Sequence, residues 1–311
     1  MTAASTPRNL RAELDTLTTE AFRPELAEID QLPTLDIARL MNGEDASVPA
    51  AVASRLPEIS AAIDAVAQRM ARGGRLVYAG AGTAGRLGVL DASECPPTFN
   101  TDPTQVVGLI AGGPEAMVTS VEGAEDSEDL ARTDLDALAL TPDDTVVGVS
   151  ASGRTPYAIG AVEHARRRGA LTIGLSCNPG SALAAAAEHG IEIVVGPELL
   201  TGSTRLKAGT AQKLVLNMLS TITMIRLGKT YGNLMVDVRA SNDKLRARSR
   251  RIVALATGAD DTAIERALTE AGGEVKTAIL ILLAETDGPT ATRLLTDADG
   301  HLRAALKSAG E

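Results

Sequence analysis

Apolar and polar residues follow two distinct periods along this chain. From Val48 to Arg72 the apolar positions Val52, Leu56, Ile59, Ile63, Val66 and Met70 recur at steps of three and four. That spacing predicts one helix lying on a core and ended by Gly73-Gly74. Five short apolar, β-branched runs follow, at Leu76–Ala79, Val106–Ile110, Thr145–Ser150, Leu171–Ser176 and Ile191–Val195. Such runs suit strands buried on both faces of a sheet. Between them lie the helical segments Ala84–Ser93, Pro114–Val121, Ser127–Leu138, Thr155–Arg168 and Ser181–His189, and after them a long one from Thr204 to Leu227. This alternation predicts an α/β fold, a doubly wound parallel sheet flanked by helices, with ligands at the carboxyl ends of its strands.

The flanks read differently. The polar, mixed stretch up to about residue 47, with a short helix at Thr34–Met41, is expected to be an arm packed on the body or on a neighbouring subunit. Beyond the sheet, a helix is expected at Ser241–Ala256, then short helices at Thr262–Ala271, Val275–Ala284, Thr290–Asp297 and His301–Ser308, built around the apolar run Ala278–Leu283. The expected division is an arm and helix over 1–65, a ligand-binding α/β domain over 66–229, a connecting segment over 230–257 and a small helical, UBA-like module over 258–311.

Composition narrows the chemistry. The chain has 311 residues, 44% of them hydrophobic, enough for a large core. Aromatics are 2% with no Trp, so stacking on aromatic platforms does not drive recognition. The net charge of −10 and the lack of a long Lys/Arg block argue against nucleic acid as a partner. No apolar run is of membrane-spanning length, and the start has no signal-peptide core. Two cysteines in so long a chain imply reduced thiols and a cytoplasmic setting. His164, His189 and His301 lack metal-ligand spacing, so no metal is expected.

Two turns carry the candidate chemistry. The first strand runs into Gly80-Ala81-Gly82-Thr83-Ala84-Gly85, spelled G-x-G-x-x-G. Glycines let backbone approach an anion, and a helix start attracts one. A dinucleotide site also needs an acidic residue at the end of the second strand. Here that strand ends Leu109-Ile110-Ala111-Gly112-Gly113, with no acid before Glu115, which favours a sugar phosphate over NAD. The second turn, Ser150-Ala151-Ser152-Gly153-Arg154-Thr155-Pro156, offers hydroxyls and a glycine, with Thr155 expected to cap the helix and Pro156 to open it. In a third segment, Gly196 to Lys213, which leads from the last strand through Glu198 into the long helix, hydroxyls, Arg205 and Lys207 gather at a helix start, which suits an anion or an elaborate cap. Among carboxylates, Glu94 is expected at the end of the first sheet helix, where Pro96-Pro97 stops it. Glu122, Glu125 and Asp126 share one turn, and the letters do not choose among them.

Longer motifs bring a resemblance. Leu90 to Thr98, Val121 to Asp126, Ser152 to Tyr157, Ser176 to Ser181, Thr201 to Lys213 and Gly232 to Val238 together resemble the N-acetylmuramic acid 6-phosphate etherases, over nearly the whole chain. That family has the sugar isomerase (SIS) fold. The resemblance implies a lyase of cell-wall sugar recycling that cleaves the lactyl ether by elimination and then hydration, without a cofactor or a metal. It implies Glu94 and Glu125 as the catalytic acid/base pair, with proton removal at C2 assigned to Glu125 and the division of roles left open. Thr83, Ser150, Ser152 and Thr155, with Gly82 and Gly153 beside them, become the phosphate-binding candidates. Arg205 and Lys207 become candidates for the lactate carboxylate or the phosphate. A homodimer with the active site near the subunit interface is also implied.

The chain departs from the family in two places. Ala84 stands where Ser is usual, and Thr19 to Pro24 departs from the asparagine-bearing sequence usual there, so the resemblance carries no ligand contact over to the arm. Two other functions share this fold: a non-enzymatic phosphosugar-binding regulator of the glucokinase-regulator type, and a phosphosugar isomerase. The presence of both Glu94 and Glu125 favours the etherase.

Overall fold

The computed structural model describes residues 12, 14–238 and 243–310. The chain forms two compact units, one reaching to Ala92 and resuming over Val106–Leu219, the other made of Ser93–Gln105 and the chain from Ser220 onward.

The first unit holds three leading helices, α1 (Thr34–Asp45), α2 (Val48–Ala53) and α3 (Leu56–Ala71). The single helix expected over Val48–Arg72 is thus two. Pro57 lies at the start of α3, where its missing N–H costs nothing, and an unbroken helix would drive its ring into the carbonyl of Ala53. α3 buries Ile59, Ile63, Val66 and Met70 of the face its periodicity marks, with Ala62 beside them, while Leu56 at its first position is exposed.

Strands β1 (Leu76–Gly80), β2 (Val106–Ile110), β3 (Thr145–Val149), β4 (Leu171–Ser176) and β5 (His189–Glu192) form one sheet in the order β2-β1-β3-β4-β5, every pair parallel. All residues of β1, β3 and β4 are buried, as their unbroken apolar runs require. The order reverses between β1 and β3, and the crevice beyond their carboxyl ends is where such sheets take ligands. The register pairs Gly80 with Val149, so the two turns that follow these strands leave the sheet side by side.

The intervening helices are α4 (Gly82–Phe99), α5 (Glu128–Ala137), α6 (Pro156–Arg167), α7 (Ala182–Ala186) and α8 (Lys207–Arg226). Several depart from expectation. α4 does not stop at Pro96-Pro97 but continues to Phe99, because proline keeps a helical φ and the last turns bury Cys95 and Phe99. Pro114–Val121 yields only a 3₁₀ turn, Pro114–Met117: Val118 is 86% exposed, so a longer helix would have no face to bury. The last strand comes two residues earlier than expected, because β4 ends at Ser176 and pairing ends there with Glu192. Ile193 still donates its N–H to the Ser176 carbonyl at 2.9 Å, and among the described residues no bond to β4 follows for Val194 or Val195.

The second unit contains a hairpin of β6 (Thr230–Tyr231) and β7 (Leu234–Met235), which sequence reading missed, turning through Gly232 at φ +59°. Its helices are α9 (Asp243–Thr257), α10 (Asp261–Glu270), α11 (Val275–Leu283), α12 (Gly288–Asp297) and α13 (Leu302–Ala309). Ser241, expected to open α9, lies outside the described residues. Ile252, Val253, Ile264, Val275, Ile279, Leu280 and Leu302 form the core. Asp237 anchors the hairpin side by pairing with Lys229 at 3.0 Å and Lys276 at 2.8 Å. Among the described residues no helix is long and apolar enough to cross a membrane.

At the amino ends of β1 and β3 one carboxylate fixes the register. Asp144, 1% exposed, accepts from the Arg75 backbone N–H at 2.8 Å, from the Arg75 guanidinium at 2.7 and 3.0 Å, and from the Thr141 N–H at 2.7 Å. Burial opposes its charge, but Arg75 and these amides hold it below the usual carboxylate range. A carboxylate lowered in this way stabilises the fold above its unfolded pKa, and the contribution is lost as pH falls through the folded value. Asp144→Asn is therefore expected to cost about 3 kcal/mol at pH 7, with the gap to wild type closing below about pH 4, as measured by urea unfolding across pH.

Candidate functional site

The first glycine turn is built by close approach. A Cβ on Gly85 would sit 2.6 Å from the Gly80 carbonyl oxygen and 2.7 Å from the Ile110 side chain. Bare backbone at both glycines thus lets α4 start hard against β1. Gly82 has φ +53° and nothing within 4 Å of where its Cβ would be, so it opens into free space at the head of α4.

In the second turn the hydroxyls bind one another. Ser150, 3% exposed, lies 3.2 Å from the Ser152 hydroxyl and 2.7 Å from the Thr155 hydroxyl, and its Oγ accepts the Gly153 N–H at 3.0 Å. Thr155 does precede α6 with Pro156 behind it, but its hydroxyl makes no cap bond, because it is turned to Ser150. Gly153, at φ +68°, packs on Ser181, where a Cβ would come within 2.4 Å of the Ser181 Cβ.

These turns open on one cleft of about 740 Å³. Its walls include Gly82, Thr83, Ser150, Ser152 and Thr155, together with Glu125. Five of the phosphate candidates and one of the two acid/base candidates are thus brought together. Gly153 lies buried behind the wall. Glu125 is exposed on the 3₁₀ turn Ala124–Asp126, and Asp126 lines the cleft beside it while Glu122 does not. Glu94 is exposed on α4, three turns beyond Gly82, and does not line this cleft.

The third segment departs most from expectation. The start of α8 already holds an anion, and it is the chain's own. Glu198, fully buried, accepts from the backbone N–H groups of Lys207 and Ala208, both at 2.9 Å. Lys207 is 4% exposed and its ammonium donates to Glu44 at 2.6 Å. Burial disfavours the Glu44 charge, but Lys207 and Arg23, the latter at 2.7 Å, hold its carboxyl below the usual range. Lys207 thus ties the segment to the leading helices, and Arg205 is exposed; neither lines the cleft.

Glu20, Arg154, Thr204 and Gln212 also line the cleft, and sequence reading did not select them. The arm reaches it because Thr18 and Thr19 bond the Asn178 side-chain amide at 2.9 and 3.0 Å, and Asn178 donates on to the Ala151 carbonyl at 3.0 Å. The signal for Arg154 was its place inside the hydroxyl turn. Gln212 stood inside the third segment, where the hydroxyls, Arg205 and Lys207 were the residues singled out. Cys177 is no nucleophile: burial, with Glu198 adding, pushes its thiol up to about 12. Among the described residues no group of three or more His, Cys, Asp or Glu is placed to hold a metal ion.

The N-acetylmuramic acid 6-phosphate etherase of Streptomyces coelicolor is 84% identical over 307 residues, 98% of this chain and 99% of the relative. The chain belongs to the N-acetylmuramic acid 6-phosphate etherase family. The etherase of Streptomyces avermitilis is 83% identical over 99% of both chains, and that of Rubrobacter xylanophilus 61% identical over 94% of this chain and 97% of the relative. In this chain, the model of the SIS domain matches residues 119–222, and that of the glucokinase regulatory protein N-terminal SIS domain matches residues 58–166. The parallel sheet and its flanking helices are the architecture the family resemblance implied.

The first turn offers a direct check. Gly85→Ala is expected to destabilise the protein by about 1–3 kcal/mol, since its methyl has only backbone and Ile110 to displace. Gly43→Ala, within α1 and with nothing near its Cβ position, is expected to be neutral or to stabilise by up to about 1 kcal/mol. Denaturant unfolding of both variants measures the contrast.

Proposed function

We propose that this protein is a carbon–oxygen lyase that cleaves the D-lactyl ether of N-acetylmuramic acid 6-phosphate, giving N-acetylglucosamine 6-phosphate and D-lactate. The observation that carries this reading is 83–84% identity with two etherases over 98–99% of each chain. The cleft fits it: an open glycine turn at the head of α4 beside a turn of hydroxyls suits a phosphate monoester, and Glu125 lies in the same walls.

The chemistry needs two carboxyl groups and water. With the sugar ring open, C2 adjoins the C1 aldehyde, and its proton is acidic. Glu125 takes that proton, the C3–O bond breaks, and its electron pair leaves with the lactyl oxygen as a C2=C3 double bond forms. Glu94 gives its proton to that oxygen, releasing D-lactate. Water then adds at C3 and a proton returns to C2, so the net change is the uptake of one water. Ser150, Ser152, Thr83 and Thr155 hold the phosphate throughout.

Glu94 does not line the cleft of its own chain. A homodimer with each cleft near the subunit interface would bring the second copy's Glu94 to it, and that is the assembly we propose. The match to a glucokinase regulatory protein domain favours a second reading, a phosphosugar binder without turnover.

Incubation with N-acetylmuramic acid 6-phosphate and assay of D-lactate separates the two, since a binder releases none. Glu125→Gln and Glu94→Gln are each expected to slow turnover about 10²–10⁴-fold with the fold intact. Mixing the two inactive variants and letting subunits exchange is expected to restore about a quarter of wild-type activity, because each mixed dimer holds one site with both glutamates. No recovery on mixing would mean that each subunit supplies its own Glu94.

A further inference from the structure

Among the described residues four buried side-chain polar atoms have no hydrogen-bond partner: the hydroxyls of Thr101, Thr145 and Thr223, and Nε2 of Gln212. Only the last belongs to a residue lining the cleft. Gln212 is 1% exposed and sits in the second turn of α8. Leaving a buried amide unpaired is costly, and Met or Leu would fill the same space on a helix face at no such cost. A group kept unpaired in the wall of a binding cleft is one whose partner arrives with the ligand.

Its neighbours say which part of the ligand. A Cβ at Gly209 would lie 3.5 Å from the Thr83 methyl, so this face of α8 looks onto the first turn of α4. Gln212, three residues on, shares that face. The amide carries no charge, and the head of α8 beside it is already occupied by the buried Glu198 carboxylate, which disfavours a second anion there. The hydroxyls of the second turn supply the phosphate without it.

We infer that Gln212 is a substrate-binding residue whose side-chain N–H donates to an uncharged oxygen of the sugar, a carbonyl or a hydroxyl, and not to its phosphate. This rests on the cleft being the phosphosugar site proposed above. The Gln212→Met variant keeps the volume and removes the donor. Thermal unfolding is followed without ligand, with N-acetylglucosamine 6-phosphate and with inorganic phosphate, beside a D-lactate assay of the wild type. Without ligand the variant is expected to be as stable as wild type or more so. Its stabilisation by N-acetylglucosamine 6-phosphate should fall as for a roughly 10- to 100-fold weaker complex, while that by inorganic phosphate stays unchanged. A variant destabilised without ligand assigns Gln212 to the fold and overturns the inference. So does an unchanged response to the sugar phosphate, or an equal loss with inorganic phosphate. If wild type releases D-lactate while the variant responds normally, the Gln212 assignment alone fails; if wild type neither releases lactate nor responds, the cleft reading falls with it.

Discussion

The in-register pairing of β1 with β3 is the constraint on which the site depends. Because the strands are parallel, both leave the sheet at the same edge, and Gly80 opposite Val149 makes neighbours of two turns that lie far apart in sequence. A slip of one residue would turn every side chain of a strand to the other face and separate the turns. The sheet is closed to that slip at its far end, where Asp144 grips the backbone and side chain of Arg75 together with Thr141. A buried ion pair that never meets the ligand therefore sets the spacing of the groups that do. Packing extends the same constraint to α4, since Gly80 and Gly85 leave no room for a side chain between helix and strand.

Much of this was legible in the sequence, for local reasons. Continuous β-branched runs marked the inner strands, and glycine with hydroxyl residues marked the two turns. What the letters could not show was how polar residues are shared out. Glu198 read as a loop residue, yet it fills the helix start that Arg205 and Lys207 were expected to prepare for a ligand. Lys207 was spent on Glu44, more than 160 positions away, and no window of sequence contains that pair. Pro96-Pro97 read as a stop, but burial of Phe99 outweighed it. Glu94 and Glu125 came from motif resemblance alone, because exposed glutamates on a helix and a turn carry no local signature of catalysis.

The cleft divides its work between groups already satisfied and groups held ready. The hydroxyls of Ser150, Ser152 and Thr155 bond one another, so each has a defined orientation before any ligand enters and little order is left to impose on binding. The arm is fixed in a similar way: Asn178 ties Thr18 and Thr19 to the Ala151 carbonyl, at the root of the same turn. Gln212 is the contrasting case, a side chain on a rigid helix with its bonding capacity unspent.

The buried carboxylate of Glu198 also gives the cleft a polarity. At the head of α4 Gly82 opens into free space, whereas at the head of α8 the backbone amides already face a buried carboxylate. Negative charge on a ligand is therefore drawn to the glycine turn and not to the start of α8. An internal glutamate that touches no ligand thereby withdraws one helix start from the competition for an anion.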